Sequence, residues 1–166
     1  SIFKNELGNN SKFFSYPFGE YSLEFKNIIK SLGFNYAFGQ HSGVIDETKD
    51  LYELPRFPIN EKYGEIKRFS SLTKTLPFKY KRVYPEEKYL LQGKNPPEVK
   101  IEFYENIKNL KSLSCYSNEG DKWRESNITF ESSNTLLINI DEKFVGERGR
   151  INCCLLYTSP SPRDFT

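Results

Sequence analysis

Between Ser22 and Gly33 the apolar residues Phe25, Ile28, Ile29 and Leu32 recur at i, i+3, i+4 and i+7, the spacing of a helix with one buried face. Ser22 supplies an N-cap and Gly33 a C-terminal stop. Before this helix, Lys12 to Tyr16 reads as a short strand ended by Pro17 and Gly19. After it, Phe34, Tyr36 and Phe38 alternate with Asn35 and Ala37 as a strand with two different faces. Strand, helix and strand within about thirty residues have the size of a βαβ unit. In such units ligands meet the loops at the carboxyl ends of the strands. Tyr16 to Tyr21 and Gly39 to Gly43 should therefore open on one face.

The pattern around this unit is also helical and extended by turns. Ser1 to Gly8 reads as the last turns of a helix, with Gly8 as its left-handed stop. Pro55 and Pro58 hold Arg56 in an extended piece, and Asn60 is expected to cap a helix through about Leu72. From Leu76 the texture changes. Prolines recur, and period-two segments take over at Val99 to Tyr104, Leu110 to Tyr116, Ser126 to Glu131, Thr135 to Ile140 and Arg150 to Cys153. Short strands at this spacing predict a small Ig-like β-sandwich. The expected division is residues 1–75, residues 76–153 and a separate tail.

Composition narrows the classes. The chain has 166 residues, with 24 basic and 22 acidic side chains interspersed along it. No basic stripe is present, which argues against a nucleic-acid interface. No apolar run reaches the roughly 18 residues of a membrane span. Its 14 Phe and 11 Tyr suit both sheet cores and sugar-binding surfaces. With no methionine, the chain is expected to be a fragment or a processed form. The tail, Cys154 to Thr166, breaks the strand pattern with a Ser-Pro run. Its LLYTSPSPRD resembles a translated sequencing adapter, so it is expected to be artefactual and to replace the genuine last strand.

Tyr16-Pro17-Phe18-Gly19 followed by a helix is a tight turn whose backbone N–H groups can stabilise a developing oxyanion. FSYPFGEYS, then a helix, an aromatic strand, GQHSGVI and LPRFPIN resemble the C-terminal half of a polysaccharide deacetylase catalytic domain. This is the NodB-homology type, carbohydrate esterase family 4, and the resemblance covers about residues 1–75. It implies the C-terminal part of a distorted (β/α) barrel and metal-assisted removal of N- or O-acetyl groups from an acetylated polysaccharide. The divalent metal, zinc by expectation, is held in that family by an Asp and two His from early motifs. Those motifs are missing here, so the chain alone should be inactive. The resemblance implies that the Phe18 N–H is the oxyanion donor and that Tyr16, Pro17, Gly19 and Gln40 line the acetyl pocket. The family's motif arginine falls on Ser15, which leaves Arg56 as its candidate substitute, against a plain salt bridge at the barrel edge. His41, the single histidine, follows the wrong strand to match the family's late histidine. It is a candidate general acid, weighed against a packing role at the rim.

Cys115 and Cys153 lie on separate predicted strands, either bridged across the sandwich or as two buried thiols. A bridge implies an oxidising compartment and a secreted or periplasmic protein. Trp123 reads as a sandwich-core residue, with stacking on a sugar as the alternative. The rival function is a non-catalytic carbohydrate-binding or adhesion protein on a degenerate barrel.

Overall fold

The computed structural model describes residues 2–91, 93–104, 107 and 109–155. The chain divides into two compact units, Ser1–Pro77 and Phe78–Thr166. Helices and a parallel sheet make up the first, antiparallel sheets the second.

In the first unit, helix α1 (Ile2–Leu7) precedes strand β1 (Phe13–Ser15), helix α2 (Leu23–Ser31) and strand β2 (Tyr36–Phe38). The two strands are parallel, with Phe13 opposite Tyr36, Phe14 opposite Ala37 and Ser15 opposite Phe38. Ser22 caps α2 by accepting the Phe25 N–H at 3.1 Å, and Gly33 follows the helix at φ 83°. Ile29 of α2, Ala37 of β2 and Tyr16 are buried together, with Phe14, Tyr21, Phe25, Phe34 and Tyr52 packed around them. The other sheet face carries Phe13, whose ring stacks on Tyr36 at 5.3 Å yet is 60% exposed. Only one face of this small sheet is therefore covered by its own helix.

Helix α3 (Ile66–Leu72) begins later than expected. Asn60 instead closes a turn, accepting the Tyr63 N–H on its side chain at 3.0 Å. Gly64 then interrupts the path, and the helix starts beyond Glu65.

Among the described residues the second unit adds seven strands. They are β3 (Arg82–Tyr84), β4 (Val99–Glu102), β5 (Leu113–Ser117), β6 (Arg124–Glu125), β7 (Asn127–Phe130), β8 (Thr135–Asn139) and β9 (Ile151–Leu155). One sheet has the order β3-β4-β8-β7 and the other β6-β5-β9, all antiparallel. Alternate residues face inward, so Val99, Ile101, Leu136 and Ile138 of one sheet share a core with Leu113 and Cys115 of the other. Phe103 and Leu110 complete it. Each such side chain contributes about 1.5–3 kcal/mol on burial, which makes this the deeper of the two cores. The strand at Arg82–Tyr84 was not anticipated from the sequence. Its three residues are too few to display a period, and its outer positions are both exposed.

Cys115 and Cys153 are joined as a disulfide. They stand opposite each other on β5 and β9, so the bridge ties neighbours within one sheet rather than crossing between sheets. Cys154 and Leu155, assigned above to the tail, continue β9 opposite Ser114 and Leu113. The remainder of that tail, residues 156–166, lies outside the described residues. Among the described residues no helix is long and apolar enough to cross a membrane.

Candidate functional site

The carboxyl edge of the small parallel sheet gathers three loops. β1 runs into Tyr16, whose N–H donates to Phe38 O at 3.0 Å. β2 runs into Gly39 to His41. A third extended piece joins in parallel through Phe38 and Leu54. Its ladder consists of Ala37 N–H to Leu51 O, Leu54 N–H to Ala37 O and Gly39 N–H to Leu54 O, at 2.8, 2.9 and 3.0 Å. The last rung is the Arg56 N–H on His41 O at 3.0 Å. Pro55, just before Arg56, packs beside Gly43, where an added Cβ would meet the proline ring at 3.1 Å.

Pro17–Gly19 form one tight turn above this edge. Gly19 N–H donates to Tyr16 O at 2.9 Å and Glu20 N–H to Pro17 O at 3.1 Å. The turn needs two consecutive residues with positive φ, 56° at Phe18 and 74° at Gly19. That is ordinary for glycine and costly for phenylalanine. Phe18 nevertheless leaves its ring 71% exposed, so no burial of the ring offsets the cost. A non-glycine residue held in this region is a reason to look for function.

Tyr16 corrects the expectation that its side chain lines a pocket. Its ring is 1% exposed and its hydroxyl donates to Tyr52 O at 3.0 Å. Burial, then the nearby Asp50 and Glu53 carboxylates, push the phenol up to about 12. Tyr16 thus supports the turn from below. Gln40 is exposed, and its backbone abuts Gly19. His41 is exposed and its ring folds back over Gly39, where a Cβ would sit 2.7 Å from Nδ1. Arg56 is exposed, and its guanidinium makes no ion pair among the described residues. The fold brings Phe18, Gly19, Gln40, His41 and Arg56 to one edge, while Tyr16 goes to the core.

Beneath the edge lies a charged cluster that the sequence reading missed. Lys26 of α2 is 9% exposed and pairs with Asp50 at 3.0 Å and Glu53 at 3.7 Å. Glu53 also accepts the Tyr21 hydroxyl at 2.9 Å, and the Tyr21 ring stacks on Tyr16 at 4.7 Å. Burial alone would lower the Lys26 pKa, but the hydrogen bond to Asp50 and the two carboxylates hold it above the ordinary lysine value. Burial likewise raises Asp50, and the Tyr52 N–H and Lys26 outweigh that, leaving it below the ordinary carboxyl value. A signal existed. Lys26 follows Phe25 and stands three residues before Ile29, within the apolar stripe of the helix.

Chemically the edge offers a strained turn, an exposed guanidinium and an exposed imidazole. Among the described residues no three His, Cys, Asp or Glu side chains converge as a metal-ligand set. No family model, curated protein or solved structure matches the chain.

Proposed function

We propose that the chain carries part of the substrate groove of a polysaccharide deacetylase, an enzyme removing N- or O-acetyl groups from a sugar polymer. The observation that carries this reading is the Phe18 turn, held at positive φ directly above Gln40. Its residues, YPFG, are those that resemble the deacetylase motif. In this reading the Phe18 backbone N–H faces the oxygen on which charge develops during attack at the acetyl carbon. Arg56 adds positive charge beside it. His41 donates a proton to the departing amine or alkoxide. Gln40, Pro17 and Gly19 shape the wall against which the acetyl group rests. This reading requires a divalent metal to activate water and the remainder of a (β/α) barrel, neither of which this chain's described residues supply. The second unit is read as an Ig-like accessory domain, and the disulfide supports a secreted or periplasmic setting.

The test is expression of the complete gene. Its upstream sequence should contain an Asp-Asp strand end and a His-x-x-x-His helix, and the protein with zinc should release acetate from acetylated chito-oligosaccharides. His41→Ala and Arg56→Ala should each lower that rate by about 10-fold or more. A folded full-length protein that binds the oligosaccharide without releasing acetate would establish the non-catalytic reading instead. Unchanged rates in both variants would remove these two residues from the mechanism.

A further inference from the structure

The second unit contains a groove at the corner between strands β6 and β7. It is an open groove of about 490 Å3, lined by Leu113, Ser114, Glu125, Ser126, Asn127 and Ile128. Its origin is topological. β6 belongs to one sheet and β7 to the other, and the chain passes between them through Ser126 alone. Both are edge strands, so the corner is open. Ser126 is anchored there by its N–H on Cys115 O at 2.8 Å.

The hydrogen-bonding polarity of this corner is fixed from behind. Ser126 is 7% exposed, and its hydroxyl donates to Ser117 Oγ at 3.1 Å. Ser117 donates in turn to Glu119 Oε1 at 2.9 Å, and the other oxygen of Glu119 accepts the Glu142 N–H at 2.6 Å. The Ser126 proton is thereby committed inward, leaving its oxygen as an acceptor. Glu125 adds a carboxylate, which forms no ion pair or hydrogen bond among the described residues. The side chains of Ser114 and Asn127 are also without internal hydrogen bonds among the described residues. The groove is thus rich in acceptors and carries negative charge, over an apolar floor of Leu113 and Ile128.

Exposed aromatic residues lie close to Glu125 across the strand pair and along the chain. Tyr116 lies opposite Glu125 in the strand register and is 42% exposed. Trp123, two residues before Glu125, is 49% exposed, which corrects the expectation of a core tryptophan. Exposed rings beside acceptors suit a ligand with apolar C–H faces and many hydroxyl donors. Phosphate, sulfate or uronate groups would meet the Glu125 charge and be disfavoured.

We propose that this groove binds a sugar chain lacking anionic groups, with amine-bearing residues favoured by Glu125. The site belongs to the second unit alone and stands or falls independently of any chemistry at the Phe18 turn. Trp123 is the only tryptophan in the chain, so its emission is a built-in probe. The oxidised 166-residue protein would be titrated with glucose, N-acetylglucosamine and glucosamine hexamers, and with a galacturonate hexamer. Amide shifts of Glu125, Ser126 and Asn127 would be followed in parallel on the unmodified protein. A saturable response to at least one of the first three is expected, weakened about 10-fold or more by Glu125→Gln or Asn127→Ala. No saturable response from any hexamer would overturn the proposal. So would tighter binding of the galacturonate, or amide shifts that avoid Glu125, Ser126 and Asn127.

Discussion

Gly19 lies so close to Gln40 that a Cβ at position 19 would come within 2.5 Å of the Gln40 N and Cβ. Two constraints meet there, since Gly19 also has φ 74°. Adopting the left-handed region costs a residue with a Cβ about 1–2 kcal/mol, and overpacking adds about 1–3 kcal/mol. Gly19→Ala should therefore destabilise the first unit by about 3 kcal/mol. Gly33 has φ 83° but nothing within 4 Å of an added Cβ, so Gly33→Ala should cost only the backbone part, about 1–2 kcal/mol. Hydrogen exchange of the Ala37 and Gly39 amides in both variants measures the difference. Equal effects would show that the contact with Gln40 yields.

Lys26 compensates two carboxylates that would otherwise face burial alone. The Asp50 and Glu53 side chains are 34% and 29% exposed, so solvent softens the loss of their partner. Lys26→Met keeps the apolar stem and removes the charge, and should cost about 2 kcal/mol, below the 3–5 kcal/mol for a fully buried pair. In the unsubstituted protein the raised Lys26 pKa means that its contribution is complete below the unfolded value of 10.5 and fades as pH rises through the folded value. The lowered Asp50 pKa gives the opposite wing. Its contribution is complete above the unfolded value of 3.8 and fades as pH falls through the folded one. Urea midpoints measured at acid, neutral and alkaline pH should show both wings weakened in Lys26→Met, with the Tyr52 N–H still holding Asp50 and the Tyr16 phenol still sensitive to alkali.

These two cases show where the sequence was readable. Helix α2 announces itself through Ser22, the Phe25–Leu32 stripe and Gly33, because cap, period and stop are local properties. The parallel pairing of β1 with β2 follows from the short helical crossover between them. The third ladder at Leu54 and the Lys26–Asp50–Glu53 cluster depend on contacts more than a dozen residues apart, which no local period encodes. Trp123 was misplaced because a tryptophan in a short-strand region most often fills the core, whereas here it precedes an edge strand. Asn60 was a sound cap by residue type, but Gly64 redirected the chain before a helix could start. At the candidate site, the motif spacing brought out the loops correctly as neighbours at one edge. It could not tell that Tyr16 turns inward, since the alternation that buries Phe14 or Tyr16 reads equally well from either face.

The bridge between Cys115 and Cys153 closes 38 residues of chain, for which loop entropy gives up to about 4 kcal/mol. Reduction should lower the stability of the second unit by about 2–4 kcal/mol and leave the first unit unchanged. Trp123 emission reports the former and the Ala37 and Gly39 amides the latter. A thiol count on the unfolded, unreduced chain should give one, from Cys154, out of three cysteines. A count of three would mean that the bridge is not formed.

Alkaline pH isolates Tyr16. Its phenol is raised from 10.0 to about 12, because its anion would be formed in the core and beside Asp50 and Glu53. A raised folded pKa contributes stability that is complete below the unfolded value and lost as pH climbs through the folded one. The loss should therefore fall between about pH 10 and 12 and amount to about 3 kcal/mol for a two-unit shift. Tyr16→Phe removes the ionisation together with the hydrogen bond to Tyr52 O. That variant should be about 1 kcal/mol less stable at neutral pH, yet should show a shallower decline above pH 10. Tyrosinate absorbance followed alongside hydrogen exchange at Ala37 separates the two effects. A decline of the same steepness in Tyr16→Phe would place the alkaline sensitivity on another residue of the cluster, with Lys26 the next to examine.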